Sequence, residues 1–183
     1  MARDKKPKTV GDMIRSLAVI LVPVLIITFF FTRNLDDSPV TVVDWRPVLA
    51  QAREQSPFPV LAPTNLPSDW RPTRVAWVKT GNPYLNGDPA VRNTWQLGFL
   101  TPKDIYVELN QGDAQPEDFI KDETREGRPD GQSTVNGKTW DRLVTTDDRT
   151  RSLVQTSTEV TTIVVGDTSY EELESYTATL SAS

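Results

Sequence analysis

Between Arg15 and Arg33 the chain carries no charge at all: residues 16–32 read SLAVILVPVLIITFFFT. Seventeen such residues would rise about 26 Å as a helix at 1.5 Å per residue, close to the ~30 Å hydrocarbon core of a bilayer. Met13 and Ile14 extend the span by a turn if Arg15 snorkels towards the headgroups. The run therefore predicts a transmembrane anchor at residues 16–32, so that the lipid bilayer is the first expected partner. A cleaved secretory signal has a shorter apolar region and ends in small residues. Here the run ends Phe29-Phe30-Phe31-Thr32-Arg33, which offers no such cleavage site. Pro23 does not argue against a span, because bilayer helices tolerate proline.

The direction of the anchor follows from charge. Residues 1–15 hold Arg3, Lys5, Lys6, Lys8 and Arg15 against Asp4 and Asp12, a net of +3, whereas the whole chain is −5 and the remainder therefore −8. Basic residues flanking a first span stay on the cytoplasmic side. Residues 1–15 are thus read as a cytoplasmic basic tail, residues 33–43 as a linker, and residues 44–183 as an extracytoplasmic domain. That outer part is acidic, which excludes nucleic acid as a partner. It is long enough for one domain with a core of its own. It has no cysteine, so that core must hold without disulfides.

Local patterns predict an α+β fold, an antiparallel sheet with helices packed on one face. Asp44 reads as an N-cap ahead of a helix from Trp45 to about Glu54, with Pro47 in the first turn and Val48, Leu49 and Ala52 on one face. Prolines 57, 59, 63 and 67 forbid a regular helix in the next stretch, which is read as an extended lead-in pressed on the domain through Phe58, Val60, Leu61 and Trp70. Alternating apolar residues then predict strands over 73–79 and 94–100, and a turn at 101–104 leads to a third strand carrying Ile105, Val107 and Leu109. Residues 115–122 read as a short helix with acids at its start, and 125–132 as an exposed loop. Asn136-Gly137 marks a type I′ hairpin between 133–135 and 138–146. Strands at 152–157 and 160–166 follow. Tyr170, Leu173, Thr177 and Leu180 recur at helical spacing behind Thr168 or Ser169 as cap.

The chemistry is bounded by what is missing. There is no histidine and no cysteine, which removes the commonest general base, thiol catalysis, serine–histidine triads and ordinary zinc sites. No glycine-rich phosphate loop is present. No catalytic residue, metal ligand or cofactor is assigned. Asp147-Asp148, beside Arg149 and Arg151, reads as a solvated turn. Of the five tryptophans, Trp77 and Trp95 fall on apolar strand faces and belong to the core, whereas Trp45 and Trp70 sit at segment boundaries. Any binding groove is therefore expected between the lead-in at 56–72 and the sheet. Its candidate residues are Trp45, Trp70, Arg71 and Arg74, with Arg46 nearby as a further anion contact.

The order of these residues resembles a known family. Asp44-Trp45-Arg46-Pro47 with Leu49 to Arg53, Pro59 to Pro63, Leu66-Pro67 with Trp70-Arg71-Pro72, Trp95 to Thr101, Tyr106 to Leu109, and Gly137 with Trp140 carry the resemblance. It extends over roughly residues 10 to 181. The family is an actinobacterial group of uncharacterised single-pass membrane proteins, domain-of-unknown-function family 4245. The resemblance implies a cell-envelope protein and lends no catalytic residue and no substrate. The leading expectation is a non-enzymatic module that binds an envelope protein or a cell-wall component. The alternative is a carboxylate-dependent hydrolase or transferase on a wall or lipid-linked substrate. An enzyme would bring two or more acids of raised pKa into a concave pocket, and a binding module would expose an aromatic groove or an open sheet edge.

Overall fold

The computed structural model describes residues 10–33, 41–83 and 88–182, with the side chains of residues 12, 13 and 30–33 left aside. The chain divides into two units, Met1–Val40 and Thr41–Ser183. In the first, α1 runs unbroken from Val10 to Arg33 through Pro23. Its large apolar side chains are exposed, among them Ile14, Ile20, Leu25 and Phe29. Among the described residues no helix is long and apolar enough to cross a membrane. The last residues of the predicted anchor, 30–32, and most of the predicted linker, 34–40, lie outside the described side chains.

The second unit is built on a seven-stranded antiparallel sheet. Its strands are β2 (Arg71–Val78), β3 (Thr94–Leu100), β4 (Tyr106–Gly112), β5 (Arg128–Val135), β6 (Lys138–Val144), β7 (Arg151–Thr156) and β8 (Thr161–Gly166), in the order β2-β3-β4-β8-β7-β6-β5. Two antiparallel meanders, β2-β3-β4 and β5-β6-β7-β8, join along β4 and β8 at the centre, where Leu109 faces Val164 and Asn110 faces Ile163. A small second sheet pairs β1 (Ala62–Pro63) with β9 (Leu180–Ser181), which ties the proline-rich lead-in to the end of the chain.

Period-two alternation decides which residues meet the main core. Trp95, Leu97 and Phe99 of β3, Val107 and Leu109 of β4, Leu153 of β7 and Val164 of β8 all turn to one face. On that face lie α2 (Arg46–Gln55) through Leu49 and Ala52, α4 (Tyr170–Ala178) through Leu173 and Tyr176, and the lead-in through Phe58 and Val60. Trp95 is fully buried and donates its indole N–H to the Leu61 carbonyl at 2.9 Å. Gln111 binds the lead-in from the same side, with its Oε1 accepting from Leu61 N at 2.8 Å and its Nε2 donating to the Pro59 carbonyl at 3.2 Å. The prolines leave few N–H groups to form a strand, so side chains of the sheet hold this segment instead.

Helices do not all pack on one face, contrary to the expectation from sequence. The helix α3 (Pro116–Glu123) covers the opposite face, where Phe119 joins Val154, Ile163 and Val165 in a second apolar cluster. The physical reason lies in β8, whose TTIVVG sequence is buried at every position and so needs cover on both sides. Three boundaries also differ. The predicted loop at 125–132 becomes a strand from Arg128, because a bulge between Pro129 and Gln132, with Gly131 at φ +94°, lets the irregular stretch pair with β6. Leu180 leaves the last helix and pairs with Pro63. Trp45 takes the N-cap position of α2, while Asp44 accepts from Arg46 N at 3.2 Å from one residue further out.

Candidate functional site

Three of the four residues singled out in the sequence meet in one groove. Trp45, Trp70 and Arg71 line a cleft of about 840 Å³ together with Pro63, Leu66, Pro67 and Phe99. Phe99 forms its aromatic floor. Trp45 and Trp70 stand edge-on to the Phe99 ring, at centroid distances of 6.2 Å and 6.3 Å. Both tryptophans are half-buried, and behind them Trp70 stacks on Tyr176 of α4. One rim is basic and one is closed by backbone. The Arg46 guanidinium lies 5.5 Å from the Trp45 ring, and Val43 N donates to the Pro72 carbonyl at 2.9 Å. Arg71 is not free to meet an anion, because Asp104 already pairs with it.

Arg74 is elsewhere. The bulge between Pro72 and Arg74 shifts the register of β2, and Arg74 points to the α3 face. There its Nη2 donates to Gln96 Oε1 at 3.0 Å and its Nε lies 3.4 Å from Glu108 Oε1. Glu108 is only 8% exposed, and that oxygen accepts no hydrogen bond. Tyr106 crosses the neighbouring Gly98, where a β-carbon would lie 2.6 Å from the Tyr106 Cζ. Burial, then the charge of Glu108, pushes the Tyr106 hydroxyl up.

Glu108 and Glu123, the last residue of α3, line one cleft of about 480 Å³ with Asp104, Asp122 and Asp167. Burial, and after it the charge of Glu108, raises Glu123 to about 7. Three of the other four acids are tied down. Arg71 holds Asp104, Arg74 holds Glu108, and Arg149 holds Asp167 at 2.9 Å, with Arg125 at 3.7 Å. This acid cluster was not found from the sequence. Its signal was the alternation in YVELNQG, which puts Glu108 and Asn110 opposite the core-facing Val107, Leu109 and Gln111. The Asp147-Asp148 turn is a surface ion-pair loop, with Asp148 bound to Arg128 at 2.6 Å. Among the described residues no group of three acids could hold a metal ion.

The sequence model of the family described as a protein of unknown function (DUF4245) matches residues 5–180 of this chain. The chain belongs to that family. No curated protein matches it. Within this DUF4245 chain, the matched span includes both the aromatic groove and the Glu108–Glu123 cluster. The family description assigns a role to neither.

Proposed function

We propose that this chain is a membrane-tethered, non-enzymatic module of an actinobacterial cell envelope. Its N-terminus lies in the cytoplasm, and its outer domain binds an envelope protein or a cell-wall component in the Trp45–Trp70 groove. The observation that carries the binding role is the groove itself, in which two half-buried tryptophans stand over the buried ring of Phe99. Half-buried aromatic side chains anchor both protein and saccharide ligands, since they offer large contact area at low entropic cost. Tethering is supported by the uncharged run at 16–32 and by a helix whose apolar side chains are exposed rather than packed in a core. The basic tail sets its direction.

A second reading, a carboxylate-dependent hydrolase or transferase, is favoured by one observation, the elevated Glu123 beside Glu108. It ranks lower because arginines neutralise three of the cleft's acids. A general acid needs a partner carboxylate free to act.

The chain lacks cysteine, so single cysteines report cleanly on exposure. Ser68→Cys, on the groove rim, should react with an impermeant maleimide on intact cells. Lys5→Cys should react only after the membrane is opened. The reverse pattern would overturn the orientation, and equal labelling of both would overturn the tether.

A further inference from the structure

The opposite side of the sheet carries a second site, independent of the aromatic groove. Between β2, β3 and α3 lies a cleft of about 690 Å³. Ala76, Val78, Pro83, Val91 and Phe119 give it apolar walls, and Arg92 sits among them. Arg92 is 8% exposed and is the most buried arginine among the described residues. Its position is built. Asn93, the next residue, is clamped by Asp113, with Asn93 N donating to Oδ1 at 2.9 Å and Nδ2 to Oδ2 at 2.5 Å. The Arg92 stem packs so closely on β4 that a β-carbon at Gly112 would come 3.2 Å from its Cδ. Its guanidinium lies 5.0 Å from the Phe119 ring centre, and Nη2 donates to Gln115 Oε1 at 3.2 Å.

Arg92 feels the charge of Glu123 on the same cleft but forms no ion pair with it. Six other arginines of the outer unit form ion pairs, and Arg92 forms none among the described residues. Its Nε–H is buried without an acceptor. A charge taken out of water needs a partner, and a planar guanidinium is matched by a carboxylate. We propose that this cleft binds an organic carboxylate, one negative group on an apolar body, with Arg92 as the charge that recognises it. The walls take the apolar body. Arg74, on the same cleft, is already paired with Glu108, which leaves Arg92 as the recognising charge. Asp122 and Glu123 also line the cleft, so a doubly charged anion such as sulfate is repelled where a single charge is tolerated.

Binding is coupled to a proton. Glu123 faces Arg92 from α3, with Glu108 on β4, Arg74 on β2 and Asp122 on its own helix as the other charges around it. An incoming carboxylate favours the neutral form of Glu123, so affinity falls as pH rises through about 7.

Calorimetry on the full chain tests the site, with hexanoate as probe and hexylammonium and inorganic sulfate as controls. Hexanoate should bind at pH 6 and bind up to about tenfold more weakly at pH 8, as the competent protonated fraction shrinks. Arg92→Gln should abolish binding while Arg92→Lys retains part of it, both with thermal midpoints checked against the parent. The charge and pH comparisons need no variant and stand if Arg92→Gln fails to fold. Hexylammonium or sulfate binding as well as hexanoate, undiminished binding by a folded Arg92→Gln, or no hexanoate heat at millimolar concentration would each overturn the proposal.

Discussion

Trp70 and Tyr176 lie face to face, with 5.5 Å between ring centres and only 9° between ring planes. Trp70 ends the proline-rich lead-in, and Tyr176 sits in the last turns of α4, more than a hundred residues later. The stack therefore fixes one wall of the aromatic groove to the helix that closes the fold. Trp45, the other wall, has no such backing and touches Phe99 only edge-on.

That difference predicts unequal losses. Trp70→Ala should destabilise the unit Thr41–Ser183 by about 2–3 kcal/mol, as expected for an aromatic side chain removed from a stacked, partly buried position. Trp45→Ala should cost roughly half as much. Urea unfolding followed by fluorescence measures both, and equal losses would mean the stack contributes little.

Glu123 makes stability depend on pH. Its folded pKa of about 7 lies above the ordinary 4.5. The folded state therefore holds the proton more tightly than the unfolded chain, and stability declines as pH rises from about 4.5 to about 7, then levels off. The decline is on the order of 3 kcal/mol. Glu123→Gln removes that dependence, so the variant should match the parent near pH 4.5 and exceed it at pH 8. Unfolding midpoints at the two pH values check the sign. A variant less stable at pH 8 would contradict it.

Gly98 and Tyr106 are coupled through space. An alanine at 98 would place its methyl 2.6 Å from Tyr106 Cζ and 2.8 Å from Cε2, forcing the ring away from Glu108 and Arg74. Gly98→Ala should cost about 1–3 kcal/mol alone and much less in a Tyr106→Ala background. A double-mutant cycle measures the difference, and additivity of the two losses would refute the contact.

The Asn136-Gly137 turn offers a simpler case. Gly137 has φ +74° and open space where a β-carbon would go. Gly137→Ala should therefore cost about 1 kcal/mol from backbone strain alone. Asn136→Ala should cost a similar amount, because its Nδ2 also donates to the Ala178 carbonyl at 3.0 Å. Thermal unfolding of the two variants tests this.

Much of the fold was legible because short-range patterns carry it. Trp95, Leu97 and Phe99 alternate, Asn136-Gly137 admits only one kind of turn, and Ser169 Oγ accepts from Glu172 N at 3.3 Å as an N-cap should. What escaped was set by pairing at long range. Leu180 has helical spacing but is drawn into a bridge with Pro63. Arg128 to Val135 is polar and glycine-interrupted, and it becomes a strand because β6 lies beside it. The groove was foreseen at Trp45, Trp70 and Arg71 because prolines and boundary tryptophans mark it. Arg74 was misplaced because a bulge in β2 is not visible in TRVAWVK. The Glu108–Glu123 cluster was invisible because it needs α3 on the second face of the sheet.

Binding in the aromatic groove is the centre of this account, and a photo-crosslinking amino acid at Ser68 in living cells probes it most directly. The account predicts a discrete adduct from Ser68 that disappears when Trp45 and Trp70 are both alanine, and none from Lys121 of α3, on the opposite face of the sheet. Identical adducts from both positions, or an adduct that survives loss of the two tryptophans, would contradict it.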